Sequence, residues 1–177
     1  MWSNLVLDRV LLGTLPTRSN HDFGRVNKNT KLIPGSCNRC GHCNQCKFIL
    51  ETDQVKDNKT GSKHAIIGNI TCNTSNIIYG INCSQCDKLV YIGETGRKLK
   101  KRTYEHVYNI KTKKDTLVSE HFNMKDHNIN KFTIFGICKI SSAQTKIRKQ
   151  MEIKYIHNMG TLHPIGINKK DWWFTFN

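Results

Sequence analysis

The residues best suited to chemistry are eight cysteines, a large number for a chain of 177 residues. Four of them, Cys37, Cys40, Cys43 and Cys46, are spaced three apart in the run CNRCGHCNQC. The first residues of the chain show no recognisable secretion signal, so we expect a metal site rather than disulfides. Thiolates at this spacing are typical zinc ligands.

The ligand set of this run stays open at the level of sequence. The four thiols could close one zinc site alone, or three of them could recruit Cys72, and His42 is another candidate ligand. An iron–sulfur cluster is an alternative, although the proline that ends ferredoxin motifs is missing. Cysteines without a metal are the remaining alternative, and we expect zinc. Cys138, inside an apolar run, is expected to be a core residue.

A second set of metal ligands is spread along the chain. Cys83 and Cys86 form a C-x-x-C pair, and His121 and His127 follow in the segment SEHFNMKDH. Two sulfurs and two nitrogens make a closed tetrahedral set for structural zinc. Such a site would tie a long loop to the segment that carries the two cysteines.

A third group suits phosphodiester hydrolysis. Tyr79 and Tyr91 lie in neighbouring apolar runs, and Arg102 and His106 are four residues apart on one predicted helix face. A guanidinium binds phosphate oxygens in a forked geometry, and a tyrosine or histidine can take a proton from an attacking water. Each residue alone has an ordinary structural explanation, and the combination favours a catalytic one.

One carboxylate, Glu152, directly follows the apolar Met151 on a later predicted helix. A single carboxylate, completed by water and substrate phosphate, is a normal magnesium site. The alternative is an ion pair with Arg148, four residues earlier, and position alone favours this pair.

Three apolar runs predict strands, and two amphipathic segments predict helices. The second helix should begin at a capping box of Ser141 and Gln144 and end at Gly160. The polar segment 51–64 is predicted to be a loop or linker. The order β-β-α-β-α predicts a small α+β domain with a three-stranded antiparallel sheet flanked by helices. The predicted elements are strands at 76–83, 88–93 and 132–140 and helices at 98–110 and 141–160.

The net charge of the chain indicates the class of partner that it binds. Lysine and arginine total 28 against 13 acidic residues, a net charge of +15, which points to a polyanion, nucleic acid before membrane. No apolar run reaches the length of a membrane span, and no basic helix has a broad apolar face. The residues expected to bind DNA phosphates are Arg97, Lys98, Lys100, Lys101, Lys111, Lys113 and Lys114.

The segments NIIY and LVYIGETGRKLKKRTYEH resemble the core of GIY-YIG nucleases. Tyr91, Ile92 and Gly93 match the YIG motif, and residues 77–79 stand where Gly-Ile-Tyr would. The two cysteines between the motifs and the string GETGR are similar to the endonuclease domain of Penelope-like retroelements, which also has a Cys-Cys-His-His set. The resemblance covers about residues 37 to 170.

The resemblance implies roles for individual residues. Tyr79 would be the general base or position the water, and Tyr91 would align it or bind phosphate. Arg102 would stabilise the scissile phosphate, and His106 would assist proton movement. Glu152 would bind the catalytic Mg²⁺ or Mn²⁺. The segment Pro164-x-Gly166-Ile167-Asn168 looks like the last motif of the family, in which Asn168 would hold the geometry of the site or a phosphate oxygen.

The resemblance also implies a function. We expect an endonuclease that nicks DNA in the nucleus and exposes a 3′ hydroxyl for the reverse transcriptase of the same polyprotein, which copies the element RNA. We expect an N-terminal arm or linker (1–35), a Cys-rich zinc module (36–75) and the nuclease domain with its inserted zinc site (76–177). The main alternative is a zinc-stabilised DNA-binding module without catalysis, which would not need Tyr79, Arg102 and Glu152. A basic structural protein with disulfides is a third hypothesis.

Overall fold

The computed structural model describes residues 33–141 and 143–169, all within one compact unit. Most of the predicted N-terminal arm therefore lies outside the described residues. The strands are β1 Pro34–Gly35, β2 Cys37–Asn38, β3 Gln54–Lys56, β4 Lys63–Ile67, β5 Ile70–Thr71, β6 Ile77–Cys83, β7 Lys88–Thr95 and β8 Phe132–Lys139. The α-helices are α1 Leu99–Lys111, α2 Leu117–Phe122 and α3 Thr145–Met159, with short 3₁₀ turns at Cys46–Phe48 and Ile129–Lys131.

The centre of the fold is strand β6, which pairs antiparallel with β7 on one side and with β8 on the other. The predicted β6–β7 hairpin and the inner position of β8 are therefore confirmed. Six of the seven residues of β6 are buried, and so are six of the eight residues of β8. Both strands read as continuous apolar runs because each is covered on both faces.

The prediction of a three-stranded antiparallel sheet is wrong, because the sheet has six strands and is mixed. Strand β4 adds to the far edge of β8 in parallel and pairs antiparallel with β1 and β3. The α+β class is confirmed. The missed strands all lie before residue 76, with β1 in the predicted arm and β3 in the polar segment 51–64, which is predicted to be a loop or linker. It contains β3 and the turn before β4, and only Val55 of β3 is buried.

Asp57 explains why this polar segment folds into a hairpin. Its carboxylate accepts hydrogen bonds from the backbone N–H groups of Lys59 (2.9 Å) and Thr60 (2.7 Å), and it lies 2.8 Å from Nε2 of His64 on β4. A buried carboxylate is stable only with such partners. The hydrogen bonds of this one acidic side chain therefore order the turn between β3 and β4.

The predicted apolar side of α1 is confirmed, because Leu99, Thr103, Val107 and Ile110 are all buried. Helix α3 starts later than expected. Gln144, predicted to lie in the first turn, has an extended backbone (φ −67°, ψ 122°) and precedes the first helical residue, so the capping box is wrong. Gly160 ends the helix in the left-handed conformation (φ 66°), as predicted. None of the described helices is long and apolar enough to cross a membrane.

We expect Asp57→Asn to lower the free energy of unfolding at neutral pH by about 1–3 kcal/mol, because it removes a charged acceptor from buried donors. Burial raises the pKa of Asp57, but its hydrogen bonds with Thr60 and His64 outweigh burial and hold that pKa below its usual range. A lowered folded-state pKa adds stability above the unfolded value, about 3.9, and this stability is lost as the pH falls through the folded-state value.

Urea unfolding from pH 7 downwards checks this expectation. The difference between wild type and Asp57→Asn should narrow below about pH 4. Asp53→Asn, at an exposed carboxylate at the start of the same hairpin, is the matched control and should stay close to wild type. A constant difference across the pH range would contradict the assigned role of Asp57.

Candidate functional site

Tyr79 is the centre of the candidate active site. It lies on β6 and is fully buried. Arg102 Nε donates a hydrogen bond of 2.8 Å to its hydroxyl oxygen, and His106 Nε2 lies 3.0 Å from the same oxygen. A guanidinium can only donate. The tyrosine oxygen is therefore the acceptor towards Arg102, and its own proton is left for His106.

The protonation states of these side chains agree with a hydrogen bond donated by the Tyr79 hydroxyl to His106. Burial and the nearby charge of Arg102 lower the pKa of His106 to about 3, so His106 is neutral and its Nε2 can accept the hydrogen bond of the Tyr79 hydroxyl. Burial raises the pKa of Tyr79 well above its usual value, with a further contribution from Tyr91, while Arg102 opposes the rise. The resting cluster therefore has a phenol, a neutral imidazole and one permanent positive charge.

Gly93 makes room for this cluster. It lies directly opposite Tyr79 in the β6–β7 register. A Cβ atom at position 93 would lie 2.5 Å from the hydroxyl oxygen of Tyr79 and 2.9 Å from the ring of Tyr91. The glycine of the YIG motif is therefore a steric requirement of the two tyrosines.

Arg102 links the buried cluster to the surface. Its Nη1 lies 2.9 Å from Glu105 Oε2, one turn along α1, and Arg97 pairs with the same carboxylate. The guanidinium thus uses its inner nitrogen for Tyr79 and an outer nitrogen for an anion. That outer position is where a phosphate oxygen can approach from solvent.

Tyr91 and Glu152 complete the predicted set. The ring centroid of Tyr91 lies 6.4 Å from that of Tyr79 and 6.1 Å from that of His106. Glu152 Oε1 on α3 accepts a hydrogen bond of 3.1 Å from the backbone N–H of Glu94. The charge of Glu152 also contributes to the raised pKa of Tyr79, so the carboxylate lies on the side of the cluster where α3 meets β7.

Glu94 was missed by sequence reasoning. It directly follows the YIG motif, and Arg148 Nε on α3 donates to its carboxylate at 2.8 Å. Arg148 is buried and also donates to Asn76 Oδ1 (3.2 Å) at the start of β6. A polar residue on an edge strand is usually solvated, so the only available signal was its position next to the motif.

Asn168 fits the first of its two predicted roles. Its Nδ2 donates to the carbonyl oxygen of Ile92 (2.9 Å), and its Oδ1 accepts from the N–H of Ile92 (3.0 Å). Both ends of the buried amide therefore hold the backbone of β7 beside Tyr91 and Gly93. These contacts position the strand that carries Tyr91 and Gly93.

Four thiols meet in the Cys-rich segment. The sulfur of Cys46 lies 3.6 Å from Cys40, 3.5 Å from Cys43 and 3.7 Å from Cys72. A tetrahedral zinc ion with Zn–S bonds of about 2.3 Å requires sulfur separations of about 3.8 Å. A hydrogen bond from the backbone of Cys43 lowers the pKa of Cys46 to about 6, which favours the thiolate form. These four residues could hold a zinc ion.

The predicted set of four spaced cysteines is wrong in one member, because Cys37 lies outside this group and Cys72 takes its place. His42, the other candidate ligand, also lies outside the group. Cys37 is fully buried in β2, where its sulfur accepts the N–H of Gly136 at 3.3 Å. Strand β2 pairs in parallel with β5, and Cys72 follows directly after β5. This pairing brings Cys72 to the other three thiols, and it is a long-range contact that local spacing does not encode.

The predicted Cys-Cys-His-His set also comes together. The ligand atoms of Cys83, Cys86, His121 and His127 all lie within 4.8 Å of one another. The sulfur of Cys86 is 3.7 Å from His121 Nε2 and 3.2 Å from His127 Nε2. His127 Nδ1 lies 2.9 Å from the carbonyl oxygen of Lys125 and can donate to it, which orients Nε2 towards the group.

The predicted DNA-binding residues lie on and around α1, the helix that carries Arg102 and His106. Lys100 is half-buried, and the others are exposed. The helix that supplies Arg102 and His106 to the candidate active site is therefore basic on its exposed side and at both ends. The exposed members are Arg97, Lys98, Lys101, Lys111, Lys113 and Lys114.

We expect the wild type to bind zinc in both groups, because both have a closed set of four ligands. Cys72→Ser should lose about one equivalent of zinc, since it breaks one of these sets. Cys37→Ser is the matched control, because it replaces a neighbouring buried cysteine outside both groups. Zinc content measured by mass spectrometry checks this. Loss of an equivalent in Cys37→Ser with full zinc in Cys72→Ser would contradict the assignment.

Comparison with known proteins gives no relative for this chain. It matches no family model, and no curated protein and no solved structure matches it significantly. The functional interpretation therefore rests on the geometry of the Tyr79 cluster and the two cysteine-containing groups, together with the motif resemblance.

Proposed function

We propose that this chain is a metal-dependent DNA endonuclease of the GIY-YIG type, which hydrolyses a phosphodiester bond. The observation that carries the proposal is the buried hydroxyl of Tyr79, bonded to Arg102 Nε at 2.8 Å and lying 3.0 Å from His106 Nε2. Binding DNA alone requires surface charge and does not require a buried proton-transfer chain. The motif resemblance assigns these same three residues to catalysis.

The chemistry of the proposal follows from the two ends of this chain of hydrogen bonds. At the inner end, the tyrosine oxygen takes a proton from an attacking water as its own proton moves to neutral His106, so that the two transfers are coupled and no free phenolate forms. At the outer end, the Arg102 guanidinium binds the phosphate oxygens on which charge develops. Tyr91, packed beside both rings, orients the water or a phosphate oxygen.

Glu152 is the proposed ligand for Mg²⁺ or Mn²⁺. In the described part of the chain it belongs to no cluster of three or more metal-ligating side chains. Magnesium can take most of its coordination from water and substrate phosphate, so that the proposal needs only this one carboxylate. When bound, such an ion would offset charge on the phosphate and the leaving oxygen.

The basic surface on α1 supports DNA as the substrate. The chain has a net charge of +15, and the exposed lysines lie on or directly beside α1, the helix that carries Arg102. Contacts to backbone phosphates of this kind make affinity fall steeply with salt.

The wider context of the proposal comes from the motif resemblance alone. A nuclease of Penelope-like retroelements would nick DNA in the nucleus and leave a 3′ hydroxyl. The reverse transcriptase of the same polyprotein would then extend that end on the element RNA.

The alternative is a zinc-stabilised DNA-binding module without catalysis, and one observation favours it. The hydroxyl of Tyr79 is inaccessible to solvent and already lies within hydrogen-bond distance of two side chains. In that alternative the cluster only anchors α1 to the sheet.

A plasmid-nicking assay with magnesium separates the two functions. We expect wild type to nick, and Arg102→Lys and Glu152→Gln to lose on the order of 10²–10³-fold in rate, because each removes an interaction with the developing charge or its counterion. Arg39→Lys, at a surface ion pair with Glu51, and Asp115→Asn, at an exposed carboxylate, are the matched controls and should nick like wild type.

Zinc content and circular dichroism on every sample exclude unfolding as the cause of a lost activity. Absence of nicking by folded, zinc-loaded wild type that still binds DNA would favour the binding module. Equal rates in wild type, Arg102→Lys and Glu152→Gln would show that the catalytic site lies elsewhere.

A further inference from the structure

A groove of about 670 Å³ runs between the outer face of α1 and the Cys-rich segment. Residues 43–45, which include one thiol of the four-cysteine group, form one wall. The other wall is the side of α1 that faces away from the sheet. The groove is separate from the Tyr79 cluster, but Glu105 lines it and pairs with Arg102.

Two exposed tyrosines line this groove. Tyr104 is 60% exposed and Tyr108 is 44% exposed. They are one helical turn apart, with ring centroids separated by 6.4 Å and planes inclined by only 21°. We call this pair the aromatic platform. Its two nearly parallel rings are large, flat and open to solvent.

Positive charge surrounds the aromatic platform. Arg97, Lys100, Lys101 and Lys114 line the groove, and Lys114 Nζ lies 5.2 Å from the ring centroid of Tyr108. The one carboxylate of the groove, Glu105, already pairs with Arg97 and Arg102. The groove therefore suits a ligand that combines a flat ring with negative charge.

An unpaired nucleotide has this combination. Its base offers a flat face for stacking on an aromatic side chain, and its phosphate binds lysine. Bases inside a duplex are stacked on their neighbours and do not expose these faces. Sequence-tolerant proteins for single strands use the same pairing of aromatic rings and a basic groove.

We propose that the groove binds unpaired nucleotides of the DNA substrate, with bases stacked on the aromatic platform and phosphates on the surrounding lysines. The inference rests on the proposed function for its choice of DNA. Because Glu105 connects the groove to Arg102, the unpaired nucleotides lie next to the scissile phosphate. DNA with a short unpaired stretch beside the cut is then a better substrate than a plain duplex.

Fluorescence anisotropy tests this without any cleavage, since no magnesium is added. The probes are a labelled duplex and the same duplex with a short central unpaired stretch. Wild type should bind the second probe more tightly. The double variant Tyr104→Ala/Tyr108→Ala should lose on the order of tenfold in affinity for the unpaired probe and little for the duplex, because stacking is removed.

Two further variants distinguish a loss of stacking from a loss of folding and from a general loss of positive charge, each of which would also lower affinity. Tyr104→Phe/Tyr108→Phe keeps the rings and should bind like wild type. Lys111→Ala, on α1 but outside the groove, should weaken both probes by the same factor. The zinc content of each variant must equal that of wild type.

Equal affinity of wild type for the two probes would overturn the proposal, and so would an alanine variant that binds the unpaired probe like wild type. Tighter binding of an RNA strand of the same sequence would overturn the choice of DNA. Failure of the nuclease proposal gives a different pattern, in which the preference for unpaired DNA persists but no sample nicks plasmid.

Discussion

The burial of one hydroxyl group constrains most of this structure. Tyr79 is fully buried, and a buried hydroxyl without partners is costly. Both partners come from α1, so the hydrogen bonds fix the rotation and the height of this helix on the sheet. The same constraint explains Gly93 on the neighbouring strand, where any side chain would occupy the space of the tyrosine ring. Stability and the proposed chemistry therefore depend on the same few atoms.

The two cysteine-containing groups connect other parts of the chain to the two ends of strand β6. One joins the Cys-rich segment to the residue after β5, just before β6 begins. The other joins the β6–β7 connection to α2 and the loop before β8. A closed metal site of this type contributes folding free energy to small domains. Strand β6, which carries Tyr79, thus lies between two candidate metal centres.

Sequence reasoning recovered the parts of the molecule that have a local signature. The alternation and length of apolar runs located β6, β7 and β8, and helical spacing placed Arg102 and His106 on one face. It failed for features that depend on contacts between residues far apart in the sequence or on polar side chains. The exchange of Cys37 for Cys72 depends on the parallel β2–β5 pairing, and the β3–β4 hairpin depends on the hydrogen bonds of Asp57 instead of apolar residues. Both features satisfy polar or metal-binding groups, which hydrophobic patterns do not report.

The ion pair between Arg102 and Glu105 has a consequence for how the surface meets an anion. Glu105 acts as an internal counterion, shared with Arg97, at the exposed side of the guanidinium. A phosphate that binds Arg102 at this position competes with this carboxylate, so its binding there is an exchange of one anion for another. The net free energy of binding is then the difference between the attraction of Arg102 for the phosphate and its similar attraction for Glu105. Weakly bound anions from solution gain little by that exchange, whereas a polyanion held at several neighbouring lysines can complete it.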